Sequence, residues 1–207
     1  TSVIMPVMMM ILFVALFGKL IHVENMSYVD YIIPGVLMQC FGQCSSVTAI
    51  TVNRDVTGGM AKRFSALPVK TSSVLWGYVT EAFFRNFITA LVVLTVSLLF
   101  GFSPNASLGD WCVILALLSG VVLAFSWIAV FIGIKAGSPE GASSFLTLVI
   151  VLPYLSSGFV PVEAMPKALA FFAEHQPMTP AINTVRGAFL GSAWEMRDFV
   201  SALLWCV

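Results

Sequence analysis

The sequence predicts an all-α integral membrane protein: a single domain over residues 1–207 with six transmembrane helices, the last of them truncated. Three observations favour this fold class. Of the 207 residues, 59% are hydrophobic and 10% are charged, whereas soluble domains have about 25% charged residues. The mean hydropathy is +0.97. Apolar runs long enough to cross a bilayer recur along the chain, with polar loops between them.

The first two predicted spans cover residues 3–20 and 31–52. The first span is rich in Met and lacks the basic region and the cleavage site of a signal peptide. The second contains no Asp, Glu, Lys or Arg, and Pro34 lies near its start, where a proline can begin a helix. Because the chain opens without Met directly into an apolar run, we expect a cytosolic leader to precede it.

A polar segment broken by glycines, residues 53–70, follows the second span. Met60, Phe64 and Leu67 recur at helical spacing, so a helix over 56–67 would have one apolar side. Pro68 would end that helix. The residues alone leave two interpretations open: an interfacial helix that tethers two spans to lipid, or a docking helix for a cytosolic partner.

The remaining predicted spans are 78–102, 111–134, 142–158 and 199–207, and we expect the last to continue beyond Val207. Glu81 and Arg85 lie four residues apart in the first turns of the third span, where they can form an ion pair. An ion relay is the alternative, but it requires acidic groups deeper in the membrane. The centres of the predicted spans carry no charge, so an ion-coupled carrier has little support.

Two amphipathic helices, 162–175 and 180–190, are predicted in the more polar segment before the sixth span. Thr179 and Pro180 have the residue types of an N-cap and a first helical position. Both helices are too short to cross a bilayer, so we expect a re-entrant pair that dips into the outer leaflet.

Lysine and arginine orient the predicted spans. One side carries most of these residues: Arg54, Lys62, Arg63, Lys70, Arg85 and Lys135. The short loops of the other side carry acidic residues instead: Glu24, Asp30 and Asp110. The segment 53–70 and both termini are therefore predicted to be cytosolic.

The sequence offers no candidate catalytic or metal-binding group. The four cysteines lie in apolar runs without a CxxC spacing, the two histidines are far apart, and no GxxxxGK[ST] phosphate-binding loop occurs. The net charge of zero gives no indication of nucleic-acid binding. We therefore expect a membrane protein that is not itself an enzyme.

Two separated motifs resemble one family. D-x-x-G followed by K-R-F-S-A-L-P-V, within residues 55–69, resembles the cytosolic loop of type-2 ABC transporter permeases, most closely the daunorubicin-resistance (drug-export) branch. G-F-V-P-V-E-x-M-P at 158–166 and F-A-E-H-Q-P-x-T-P at 172–180 resemble the outer re-entrant segment of the same permeases. The likeness extends over nearly the whole chain. Asn53 and His175 depart from it, since acidic and branched or polar residues are commoner there.

The resemblance implies a six-span permease with a cytosolic coupling helix, paired with a separate ABC ATPase subunit that binds ATP and Mg²⁺. It also implies a dimer with a second permease copy, identical or paralogous, in the bacterial inner membrane. Spans one, two and five would line a path at the dimer interface. The ATPase-coupling residues would be Arg54, Asp55, Gly58, Lys62, Arg63, Phe64, Leu67 and Pro68. The outer re-entrant segment would be defined by Pro161, Pro166, Phe172, Pro177, Pro180 and Arg186.

The expected function is ATP-driven export of a hydrophobic or amphipathic drug-like compound. The alternative that the family likeness allows is the same machinery with a lipid or a lipid-linked polysaccharide as cargo. An ion-coupled carrier and a membrane scaffold without cargo are the alternatives from other classes. An enclosed cytosolic cavity lined by Phe and Met would favour drugs, and a tall groove with aromatic and polar walls would favour glycans.

Overall fold

The computed structural model describes residues 4–17, 27–59, 71–160, 165–192 and 194–206. Within these ranges the secondary structure is entirely helical, in agreement with the predicted all-α class. A 3-10 helix, Leu152–Leu155, interrupts the series of α-helices, which are α1 (Ile4–Phe17), α2 (Tyr28–Thr57), α3 (Thr71–Leu99), α4 (Leu108–Lys135), α5 (Pro139–Val151), α6 (Lys167–His175), α7 (Met178–Leu190) and α8 (Met196–Cys206).

Three of the described helices, α2, α3 and α4, have the length and apolar composition needed to cross a membrane. Helices α1 and α5 are apolar but shorter. The chain is thus a multi-pass membrane protein. The six-span arrangement stays a prediction.

Helix α2 is the centre of the bundle, and most of its residues are buried. It packs against α1, α3, α4, α5 and α7. Small residues allow the closest of these approaches, as expected for helices that associate in lipid. A Cβ added to Gly133 of α4 would lie 2.7 Å from the carbonyl oxygen of Ala49 in α2, so a larger residue there would separate the two helices.

The bounds of the predicted coupling helix are wrong at its start. Residues 56 and 57 continue α2, which ends at the turn Gly58–Gly59. Gly59 has a φ of +80°, a conformation that favours glycine and stops the helix. Residues 60–67 lie outside the described part of the chain. Helix α3 begins at Thr71 rather than at residue 78, because its first turns bring Leu75 and Tyr78 against the end of α2.

The predicted fifth span, 142–158, is not one continuous helix. Helix α5 ends at Val151, the 3-10 helix follows, and a buried turn occupies Ser156–Phe159. Pro153 accounts for the break, since proline lacks the N–H that an α-helix requires at that position. We call the segment Ser156–Val160 the buried turn.

The two predicted outer helices also begin elsewhere. The first starts at Lys167, because Pro166 has an extended backbone and disfavours a helical Met165 before it. The second starts at Met178, with Pro177 at the cap position. Thr179 is therefore not an N-cap. Its hydroxyl donates to the carbonyl oxygen of Ala173 at 2.5 Å and so ties α7 to α6.

Candidate functional site

Helix α2 ends and α3 begins at one end of the bundle, which we call the loop end. Of the predicted coupling residues, the structure describes three there. Asp55 accepts a hydrogen bond from the hydroxyl of Tyr78 at 2.6 Å, and this bond joins α2 to α3. Arg54 is exposed, and its carbonyl oxygen accepts the N–H of Gly58 at 2.7 Å. The other five, Lys62, Arg63, Phe64, Leu67 and Pro68, lie outside the described residues.

Asn53 connects α2 to the end of α4. Its side chain is fully buried, and its Nδ2 donates to the carbonyl oxygens of Gly133 at 3.0 Å and Ala136 at 2.6 Å. The first carbonyl belongs to the last turn of α4 and the second to the residue that caps the helix, where the helix itself supplies no donors. A carboxylate could not donate to either oxygen. The structure thus gives a physical reason for the amide at a position where the resembling family more often has an acid.

Arg85 links α3 to α2 further along the same pair of helices. Its Nη1 lies 2.6 Å from Oε1 of Glu81, and its Nη2 donates to the hydroxyl of Thr48 at 2.5 Å and to the carbonyl oxygen of Cys44 at 3.3 Å. The side chain of Arg85 is 24% exposed and that of Glu81 53%. Arg85 therefore donates hydrogen bonds from α3 to α2. The carboxylate of Glu81, on the exposed side of α3, neutralises the charge of Arg85.

At the opposite end of the bundle, Arg186 contacts several groups at once. Its Nε donates to the carbonyl oxygen of Tyr31 at 3.2 Å, its Nη2 to that of Ser157 at 2.5 Å, and its Nη1 to Oδ1 of Asn183 at 3.2 Å. Its guanidinium also lies 3.8 Å from the centre of the Tyr31 ring. One side chain of α7 thus holds the start of α2 and the buried turn together.

The buried turn lies directly against α2. The hydroxyl of Tyr31 donates to the Ser157 carbonyl oxygen at 2.8 Å, and that of Tyr28 to the Phe159 carbonyl oxygen at 3.2 Å. A Cβ on Gly35 would lie 2.7 Å from the carbonyl oxygen of Gly158. Backbone therefore meets backbone here, and the carbonyl groups of Ser157 and Phe159 accept hydrogen bonds from side chains of α2.

The predicted prolines of the outer segment do not form one cluster. Pro180 is buried inside α7, whereas Pro177 precedes that helix and Pro166 is exposed before α6. Phe172 is exposed on α6. Pro161 lies outside the described residues. Of the predicted outer residues, Arg186 alone makes the described polar contacts between helices.

The described part of the chain has an apolar groove between α2, α3 and α4. Its volume is about 90 Å³, and its walls include Phe41, Phe83, Phe87, Trp111, Ile114 and Leu118. A more polar cavity of about 270 Å³ lies between α7 and α8 beside Asn183, Glu195 and Asp198. The apolar groove suits a hydrophobic molecule or an acyl chain, because no charged group lines it.

No metal or nucleotide chemistry is evident at these places. Among the described residues, no group of three His, Cys, Asp or Glu side chains could hold a metal ion. The polar contacts described above connect helices to one another at both ends of the bundle.

Sequence patterns did not identify Tyr78, Asn183 or Tyr31. Each contacts residues far away in the chain, and helical periodicity reports only neighbours on one helix. Asn183 gives no local signal either, because it is half-buried and lies off the apolar face formed by Ala181, Ile182 and Val185.

Comparisons with known proteins agree with the resemblance. The family model described as "ABC-2 type transporter" matches residues 1–190. The chain is 29% identical over 199 residues to "Daunorubicin resistance ABC transporter permease protein DrrB1" of Streptomyces coeruleorubidus, covering 94% of this chain and 70% of that protein. It is 24% identical over 208 aligned residues to "Probable doxorubicin resistance ABC transporter permease protein DrrC" of Mycobacterium tuberculosis, covering 99% and 74%.

A more distant relative is "ABC transporter G family member 20" of Dictyostelium discoideum. It is 29% identical over 173 residues, which are 80% of this chain and 23% of that protein. The similarity therefore reaches from bacterial proteins to one segment of a much longer eukaryotic one.

Proposed function

Because this chain belongs to the ABC-2 type transporter family, we propose that it is the permease subunit of an ATP-driven exporter for a hydrophobic or amphipathic drug-like compound. One observation carries the proposal. The chain aligns along 94% and 99% of its length with proteins named as daunorubicin and doxorubicin resistance permeases. The apolar walls of the groove between α2, α3 and α4 support a hydrophobic cargo.

In this proposal a separate ABC ATPase subunit binds ATP and Mg²⁺ and docks on the cytosolic segment after α2. Phe64 and Leu67 would enter the ATPase, with Lys62 and Arg63 at the rim of the contact. The hydrogen bonds of Asn53 and Asp55 support this role, because they connect the start of that segment to α3 and α4. Movement of the segment would then displace α2, α3 and α4 together.

The functional unit would be a dimer of permease subunits in the bacterial inner membrane. Six spans with cytosolic termini and an outer re-entrant helix pair complete the proposed topology. The positive charges at the loop end favour this orientation. Cargo would leave along a path at the interface between the two copies.

A lipid or a lipid-linked polysaccharide is the second candidate cargo. The groove favours this candidate as well, because its apolar walls would accept an acyl chain as readily as a drug. An ion-coupled carrier has less support. The described ion pair, Glu81–Arg85, lies near the middle of α3, but its glutamate is largely exposed, and no acidic residue follows it along that helix.

Reconstitution tests the proposal. The full-length protein and its adjacent-gene ATPase would be placed in liposomes, and transport of an amphipathic cationic dye, a fluorescent lipid and a lipid-linked glycan would be measured with ATP. We expect dye transport that stops when the ATPase carries a hydrolysis-inactivating substitution. Transport that persists with the inactive ATPase would contradict an ATP-driven exporter, and transport of the lipid or glycan alone would select the second candidate.

A further inference from the structure

We call residues 60–70 the coupling segment. At the loop end, the two helices that flank it are joined by a polar contact from Tyr78 to Asp55. The chain leaves α2 at the turn Gly58–Gly59 and returns at Thr71, where α3 begins. Asp55 lies in the last turn of α2, and Tyr78 lies two turns into α3. Their hydrogen bond of 2.6 Å therefore closes the base of the segment.

The surroundings of this bond favour a fixed geometry. Tyr78 and Asp55 are both half-buried, and the Tyr78 ring packs beside the cluster of Val52, Val79 and Val130, which come from α2, α3 and α4. A hydrogen bond to a carboxylate is among the stronger polar contacts in proteins, and shielding from water strengthens it further. The contact thus resists separation of the two helix ends.

The neighbouring Asn53 extends the connection to α4. Its two bonds to the end of α4 start two residues before Asp55. A displacement of the segment would therefore turn α2, α3 and α4 together while both contacts hold. If the Tyr78 contact were lost, the end of α2 would be joined to α3 by the Arg85 contacts further along the helices and by apolar packing, and it would move more freely.

We propose that Tyr78 is a positioning residue for ATPase coupling, which holds the two ends of the coupling segment so that movement of the segment reaches α2 and α3 as one unit. This inference rests on the proposed function. It adds a residue of α3, outside the motif that resembles the coupling loop, to the transmission path.

The test is the ratio of cargo transported to ATP hydrolysed, measured in the reconstituted complex. Tyr78→Phe keeps the ring and removes the hydroxyl. We expect ATP hydrolysis to continue and the ratio to fall about tenfold, the change in population expected from losing one hydrogen bond to a charged acceptor. Asp55→Ala should have the same effect, and the double variant should be no worse, because both remove one contact.

Two further variants separate positioning from folding. Asp55→Asn keeps an acceptor oxygen for the Tyr78 hydroxyl. Its ratio of cargo transported to ATP hydrolysed should therefore stay close to that of the unsubstituted protein. Thr95→Val removes an exposed hydroxyl of α3 that bonds only to its own helix, at the Leu91 carbonyl oxygen, and should leave the ratio unchanged. An unchanged ratio in Tyr78→Phe, or hydrolysis and transport that fall in parallel with the protein's yield, would overturn the inference.

Failure of the inference can be distinguished from failure of the proposed function. If Phe64→Asp uncouples transport and Tyr78→Phe does not, the coupling segment stands and the role of Tyr78 is wrong. If transport never depends on the ATPase in the unsubstituted protein, the proposed function fails and the inference fails with it.

Discussion

Replacing Arg186 should separate the start of α2 from the buried turn. Glutamine removes the positive charge and the forked guanidinium, and it cannot reach all three acceptors that Arg186 contacts, the carbonyl oxygens of Tyr31 and Ser157 and the side chain of Asn183. The contact between the guanidinium and the Tyr31 ring is lost as well. Arg186→Gln therefore tests whether one side chain secures this end of the bundle.

The magnitude follows from the contacts. The Ser157 carbonyl oxygen keeps the Tyr31 hydroxyl as a donor, and the Tyr31 carbonyl lies within α2, so neither acceptor is left without a partner. The stability lost is then the net free energy of the hydrogen bonds that the guanidinium donates, mainly the short one to the Ser157 carbonyl oxygen, plus that of the cation–π contact with Tyr31. Together these amount to roughly 3–4 kcal/mol. For a chain of this size, each kcal/mol of lost stability lowers the midpoint of thermal unfolding by about 2–4 °C, so the midpoint should fall by roughly 6–16 °C.

Thermal unfolding of the purified protein in nanodiscs measures this change. Arg186→Lys keeps the positive charge but not the forked guanidinium. Its midpoint of thermal unfolding should therefore lie between those of the unsubstituted protein and Arg186→Gln. Arg197→Gln is the matched control, because Arg197 is exposed on α8 and should change the stability by less than about 0.5 kcal/mol. Equal midpoints for Arg186→Gln and Arg197→Gln would refute the reasoning.

Three further changes test other parts of the molecule. Phe64→Asp or Leu67→Asp should uncouple ATP hydrolysis from transport while membrane insertion is kept, and loss of insertion would instead support a lipid tether. Gly35→Ala should destabilise the protein by about 1–3 kcal/mol in thermal unfolding, since the new Cβ would lie 2.7 Å from a backbone carbonyl; Gly77→Ala, with open space around it, should have no such effect. Glu81→Gln removes the largely exposed ion-pair partner of Arg85 and should lower the stability by about 0.3–0.5 kcal/mol, with transport kept. Abolished transport with a shifted pH dependence would instead support an ion relay.

The long helices were predictable because lipid imposes a simple rule on them. Residues 31–52 and 111–134 contain no charge, and a helix is the form in which such a run satisfies its own backbone. The ends were less predictable. Helix α2 continues to Thr57 and α3 starts at Thr71 because Asn53, Leu75 and Tyr78 contact neighbouring helices there, which composition does not reveal.

The interruption of the fifth predicted span was missed for a related reason. Leu152, Tyr154 and Leu155 keep the run apolar, so hydropathy continues across Pro153 although the helix does not. The contacts of Asn53, Tyr78 and Arg186 were not predictable from the sequence. Each joins groups that are distant in the chain, and several of the acceptors are backbone carbonyls that every residue possesses.

The buried turn also has a consequence for biosynthesis. Its carbonyl groups at Ser157 and Phe159 accept from Tyr31 and Tyr28, which are synthesised earlier. Arg186, the second donor to Ser157, follows it by 29 residues. An unpaired carbonyl in hydrocarbon costs several kcal/mol. The two tyrosines therefore allow the turn to pack on α2 as soon as α5 has been made, and Arg186 adds its contact once α7 follows. We expect the turn to pack first on α2 and to be secured later by α7, so that a chain that stops before Arg186 is more sensitive to proteases at this turn.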